Sequence, residues 1–127
     1  MTQNAIEDAL AAYTRPPDTP RQKRIEDAHT LNSHGVFSKR NIVAITGLPA
    51  WVIDAEIEKN YKTGGRFNPE MLPLIHDFHQ SLDGQPDVSL FRMITSQGVS
   101  FDFLCKLTGV PKSTMQYRTR DAAANIR

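Results

Sequence analysis

The sequence predicts an all-α protein built from two copies of a three-helix unit, and three observations carry that prediction. A five-residue phrase recurs: Ile45-Thr46-Gly47-Leu48-Pro49 returns 62 residues later as Leu107-Thr108-Gly109-Val110-Pro111. The likeness extends backwards through Ile42 and Leu104. It continues through Ser33-His34-Gly35-Val36 and Ser96-Gln97-Gly98-Val99 if the second copy is one residue shorter, and on to Leu31 with Ile94 and Ile25 with Val88. A repeat at fixed offset marks the structural unit itself. Apolar residues also recur at helical spacing along most of the chain, and no stretch shows the sustained alternation between turns that strands require.

The elements follow in order. Residues 4–13 (NAIEDALAAY) place Ile6, Ala9, Leu10 and Tyr13 at helical spacing. Three prolines within RPPDTP, residues 15–20, stop that helix and favour an extended linker. A second helix is expected from about Arg21 to Asn32, with Ile25, Ala28 and Leu31 on one stripe, ended by Gly35. Ser38 is a natural N-cap for a short helix through Ile45. Gly47 makes a tight turn, because glycine takes a positive φ without steric cost. Pro49 then opens a helix of about Ala50 to Asn60, with Trp51, Ile53 and Ile57 placed for burial.

Residues 62–69 (KTGGRFNP) read as a loop, with a β wing at 61–67 as the other reading. Asn68-Pro69 opens a helix of about Glu70 to Leu82, with Leu72, Ile75, Phe78, His79 and Leu82 along one face. After the turn residues of DGQPD (83–87), helices follow at about 88–96, 101–107 and 112–124. The organisation expected is an N-terminal helix and proline-rich linker at 1–20, a first unit at 21–67, a bridging helix and turn at 68–87, and a second unit at 88–127.

Composition narrows the class. A chain of 127 residues suits one domain or two small ones sharing a core. With 39% hydrophobic and 23% charged residues it belongs with folded rather than disordered proteins. No apolar run approaches the roughly 18 residues of a membrane span, and no export leader is evident, so no membrane partner is expected. The lone Cys105 excludes an internal disulfide and suits a reducing cytoplasm. The formal net charge of +1 says little, so the placement of charge matters more than its sum.

The last two helices of each copy fit a helix-turn-helix: two helices at a steep angle joined by a short turn that often holds glycine. Close approach favours a small residue four positions before that glycine, which is Cys105 in the second copy and the bulkier Val43 in the first. Apolar residues belong directly after the glycine and about six positions beyond it. Val110 and Met115 fill those places in one copy, Leu48 and Ile53 in the other.

The segment from Phe103 to Met115 (FLCKLTGVPKSTM) resembles the DNA-binding helix-turn-helix of bacterial and phage regulators and of site-specific recombinases. In those families a short apolar helix leads through a threonine-glycine-valine turn into a recognition helix rich in serine and threonine. The resemblance covers about 20 residues in each half and departs from the family at Arg118, where an apolar residue is common. It implies binding of double-stranded DNA, as a transcriptional regulator or as an accessory factor in recombination or genome packaging.

Charge separates the two copies. Residues 49–58 hold Asp54, Glu56 and Glu58 with no basic residue, a charge of −3, while residues 111–120 hold Lys112, Arg118 and Arg120 with no acid, a charge of +3. Phosphates repel the first and attract the second. Lys112, Ser113, Thr114, Gln116, Tyr117 and Arg120 are therefore expected to read or position bases, with arginine suited to guanine and glutamine to adenine. Lys39, Arg40, Lys62, Arg66 and Arg118 are expected to contact phosphate. The basic residues Arg15, Arg21, Lys23 and Arg24 have the character of an arm laid in a minor groove.

If both units docked, they would enter major grooves about 34 Å apart. Otherwise the first unit would serve a homodimer or a protein partner, with Trp51 as a core or interface anchor. A helical interaction module that binds no DNA is the competing class, because fold alone does not establish function. His76 and His79 have helical spacing but lack a third metal ligand, and Gly64-Gly65 falls short of a phosphate-cradling loop. No catalytic set converges, so neither an enzyme, a metal nor a cofactor is expected, and the location expected is the cytoplasm of a bacterial or phage-infected cell.

Overall fold

Asn4 accepts the Glu7 amide at 3.1 Å and starts α1 (Ala5–Tyr13), the element around which the others gather. The computed structural model describes residues 4–57 and 68–124, the side chains from 120 onward excepted. Among the described residues the structure is entirely helical, with no strand: α2 (Arg21–Ser33), α3 (Lys39–Thr46), α4 (Ala50–Glu56), a 3-10 turn (Pro69–Met71), α5 (Leu72–Ser81), α6 (Val88–Ser96), α7 (Phe101–Thr108) and α8 (Lys112–Ala124). The β wing considered at 61–67 lies outside the described residues.

α1 buries Ala5, Ile6, Ala9 and Ala12, a mostly alanine stripe that lets neighbouring backbones approach closely. It contacts α2, α3, α5 and α7, so it touches both copies of the repeat and the helix between them. His34, the C-cap of α2, lies 2.6 Å from the Asp8 carboxylate and fastens α1 to that helix end. The buried residues of both copies form one cluster, and Phe37 meets Phe103 edge-on at 6.4 Å between ring centroids. Phe91 joins Phe78 of α5 to Phe101 of α7 in the same core.

The repeat is visible in local geometry. Ser38 accepts the Asn41 amide at the start of α3, and Ser100 accepts the Phe103 amide at the start of α7, both at 3.1 Å. Gly47 and Gly109 end those helices with φ of 74° and 73°, donating to the Val43 and Cys105 carbonyls at 2.9 Å. Thr46 and Thr108 are buried just before the glycines, and each hydroxyl donates to the carbonyl four residues back. The one-residue gap falls between Gly98 and Ser100. Val99 therefore takes the buried place of Phe37, not that of the half-buried Val36 with which the sequence aligned it.

Three expectations need correction. Trp51 is 65% exposed, and Val52 is buried in its stead beside Ile53 and Ile57. On a helix, neighbours in space lie three and four apart. Trp51 thus shares its side of α4 with the exposed Asp54 and Ala55, three and four residues on, while Val52 and Ile53 face inward. α4 is also shorter than expected, because Ile57 is extended with φ −118° and ψ 117°. Pro49 precedes α4 as its N-cap residue instead of entering it.

The residues read as a basic arm lie in the linker and in α2, where Arg21 and Lys23 are exposed and Arg15 and Arg24 half-buried. Arg15 grips Asp27 with two hydrogen bonds of 3.0 Å, and that bond, with the attraction of the carboxylate, raises the Arg15 pKa against a burial effect that lowers it. Lys23 lies within 3.8 Å of Glu26, and Arg24 donates to the carbonyls of Thr46 and Pro16. Arg21 lies over the Trp51 ring at 5.7 Å.

Candidate nucleic-acid interface

α8 follows the Gly109 turn, and its first turn is closed by the Met115 amide donating to the Pro111 carbonyl at 2.9 Å. Met115 is fully buried and Thr119 nearly so, an i, i+4 pair that fixes which side of the helix faces α6 and α7. The Thr119 hydroxyl donates to the Met115 carbonyl at 2.8 Å, so its burial leaves no polar group unsatisfied. With that side held inside, Lys112, Ser113, Thr114, Gln116 and Tyr117 all stand exposed, Tyr117 at 70%.

Two cations of this helix have partners within the chain. Lys112 lies 3.3 Å from Asp102 at the start of α7, but both side chains are well exposed, and such a pair contributes little and exchanges readily. Arg118 is half-buried and donates to the Gly84 carbonyl at 2.6 Å, tying α8 to the turn between α5 and α6. It thus has a structural contact beyond the phosphate role expected of it. The Arg120 side chain lies outside the described residues, as do Lys62 and Arg66.

A shallow cleft of about 380 Å³ lies beside the start of α8, lined by Asp102, Cys105, Lys106, Gly109, Val110, Pro111 and Lys112. Lys106 is exposed there, a cation outside the set expected at DNA. Its position in the last turn of α7, where a positive charge complements the helix dipole, was the available signal. Burial pushes the Cys105 thiol above its ordinary pKa, Asp102 adds to that, and Lys112 opposes it. Both burial and Asp102 thus disfavour the reactive thiolate form.

The corresponding surface of the first copy is chemically different. Trp51, Asp54 and Ala55 occupy the exposed face of α4, where α8 has Ser113, Gln116 and Tyr117. Asp54 pairs with Lys39 of α3, and Glu56 lies 3.6 Å from His29 of α2. Lys39, expected at phosphate, is therefore drawn to a neighbouring carboxylate, whereas Arg40 is exposed. The structure thus leaves Lys112, Ser113, Thr114, Gln116 and Tyr117 exposed on α8, with Ser113, Gln116 and Tyr117 along one face, and leaves Lys39 and Arg40 on the other copy.

His76 has Gln80 as its neighbour at 3.5 Å, and no group of three or more His, Cys, Asp or Glu side chains able to hold a metal occurs among the described residues. No described helix is long and apolar enough to cross a membrane. Comparisons with protein-family models, with curated proteins and with solved structures yield no match.

Proposed function

We propose that the protein binds double-stranded DNA sequence-specifically through the exposed face of α8, as a transcriptional regulator of bacterial or phage type. The observation that carries this reading is the face itself. Between Lys112 and Thr119 there is no acid, and the outward residues are a cation, hydroxyls, an amide and an exposed tyrosine. A rigid helix of that chemistry suits a major groove, where amide and hydroxyl groups meet base edges and cations meet phosphate. The succession of α7, the Gly109 turn and α8 is compatible with a helix-turn-helix, with Met115 and Thr119 anchoring the proposed reading helix from behind.

The first copy holds Asp54 and Glu56 where a groove would need cations, so α8 makes the base contacts and Arg40 has at most a phosphate role. Electrophoretic shifts with random and selected duplexes over a range of salt test this reading. Specific binding that weakens steeply with salt supports it. No shift with any duplex contradicts it and favours a protein-interaction module instead.

A further inference from the structure

We infer that Arg118 is a positioning residue: its grip on the Gly84 carbonyl fixes the rotation of α8 about its own axis, and so sets which side chains meet the bases. The specificity role rests on the DNA reading, whereas the tether is a property of the free chain. A helix held along one stripe can roll. Met115 and Thr119, both buried and four residues apart, supply one such stripe on α8. Arg118, three residues from Met115, lies on the other flank of it, roughly 100° round the axis from Thr119. Its Nη2 donates to the Gly84 carbonyl at 2.6 Å, across 34 residues of sequence. Supports set that far apart round a helix resist a roll that either alone would allow.

The carbonyl that Arg118 grips belongs to a well-tied turn. The amides of Leu82, Asp83 and Gly84 donate to the carbonyls of His79, Gln80 and Ser81 at 3.1, 3.2 and 3.1 Å. The Asp87 amide donates to the Ser81 hydroxyl at 3.0 Å, and the Asp87 carboxylate accepts the Leu90 amide at 3.1 Å to start α6. Gly84 is thus fastened to both α5 and α6. The same geometry turns Arg118 away from the bases. Two residues apart on a helix are about 160° apart round its axis, so Arg118 points away from Gln116. With Gln116 and Ser113 towards a groove, Arg118 faces the bundle. Base contacts need placement within about 0.5 Å and 10–20°, whereas attraction to phosphate is long-ranged and tolerant. A roll of α8 therefore costs discrimination between sequences more than it costs affinity.

Two measurements on the full chain test this. In isotope-labelled protein, nuclear Overhauser contacts between the Arg118 side chain and the Gly84 α protons are expected in the free state and again with a selected duplex bound. Arg118→Met keeps the packing of the stem and removes the donor. It is expected to bind scrambled duplexes within about twofold of the native affinity, because a charge held away from phosphate is largely screened. Its preference for the selected duplex is expected to fall on the order of tenfold, the worth of one well-placed base contact. Contacts that vanish when DNA binds would overturn the proposal, and so would an unchanged preference. A variant weakened on all duplexes alike, with the salt dependence lowered by about one phosphate, would return Arg118 to the DNA backbone. If circular dichroism shows that the variant has lost its helices, the Overhauser contacts in the free and bound native protein decide. A chain that binds no duplex sinks the DNA reading and the specificity role with it, and the tether is then judged on the free protein. Binding with discrimination but without the Gly84 contact spares the DNA reading and sinks the tether.

Discussion

The guanidinium of Arg24 donates to the carbonyl of Thr46 at 2.9 Å, closing the end of α3 at the Gly47 turn from a helix 22 residues earlier. The same side chain reaches the Pro16 carbonyl at 3.0 Å, so one residue of α2 holds both the linker and the turn. Arg24→Ala leaves the last carbonyls of α3 without this partner and is expected to cost about 1.5–3 kcal/mol, the range for hydrogen bonds to a charged group. Chemical denaturation of the variant measures it. A change within error of zero would show that water replaces the guanidinium without loss.

The two turn glycines are expected to respond alike. Gly47 and Gly109 have φ of 74° and 73°, and a methyl group at either meets nothing closer than Arg24 Nη1, at 3.7 Å beside Gly47. Alanine at each position therefore suffers from backbone conformation alone, on the order of 1–2 kcal/mol. Gly84, which has no neighbour within 4 Å and no positive φ, is the control. Gly84→Ala is expected to be neutral or slightly stabilising. Equal losses at all three glycines in thermal melts would contradict this account.

Cys105 supplies the pH dependence. Burial foremost, then Asp102, disfavours its thiolate in the folded protein, so the folded thiol binds its proton more tightly than the unfolded one. That contribution is complete below the unfolded thiol pKa. It is lost as pH rises from the ordinary value of 9.0 through the raised folded one. Cys105→Ala is expected to flatten the alkaline fall in stability, and native Cys105 to alkylate more slowly at pH 8 than in denaturant. Equal alkylation rates in both states would contradict the burial argument.

Much of the fold is legible in the sequence because local chemistry sets it. Ser38, Gly47 and Gly109 mark helix ends that the structure places within a residue of expectation. Trp51 was not legible: α4 has only seven residues, too few for its apolar pattern to define a face, and Val52 and Ile53 compete with it for the core. Nor was the central place of α1, whose buried alanines carry little hydrophobic signal yet permit the close packing that joins both copies. The basic residues at 15–24 resembled an arm because charge alone is visible in a sequence, whereas Asp27, Thr46 and Pro16 become their partners only in three dimensions. The open face of α8 was legible, since Met115 fixes its inner side.

That face yields distinguishable variants. Gln116→Ala is expected to weaken specific binding by about 1–3 kcal/mol and to relax one base preference, as befits a base contact. Lys112→Ala is expected to weaken binding to all duplexes alike and to lower the salt dependence by about one phosphate contact. Fluorescence anisotropy with selected and scrambled duplexes separates the two. Identical behaviour of both variants would deny them different roles.

The most direct test is to titrate isotope-labelled protein with a selected duplex and map the amide chemical-shift changes along the chain. The account predicts the largest changes over Gly109 to Thr119, with the exposed face of α4 little affected by the duplex itself. Changes centred on Trp51 and Asp54, or none along α8, would contradict it.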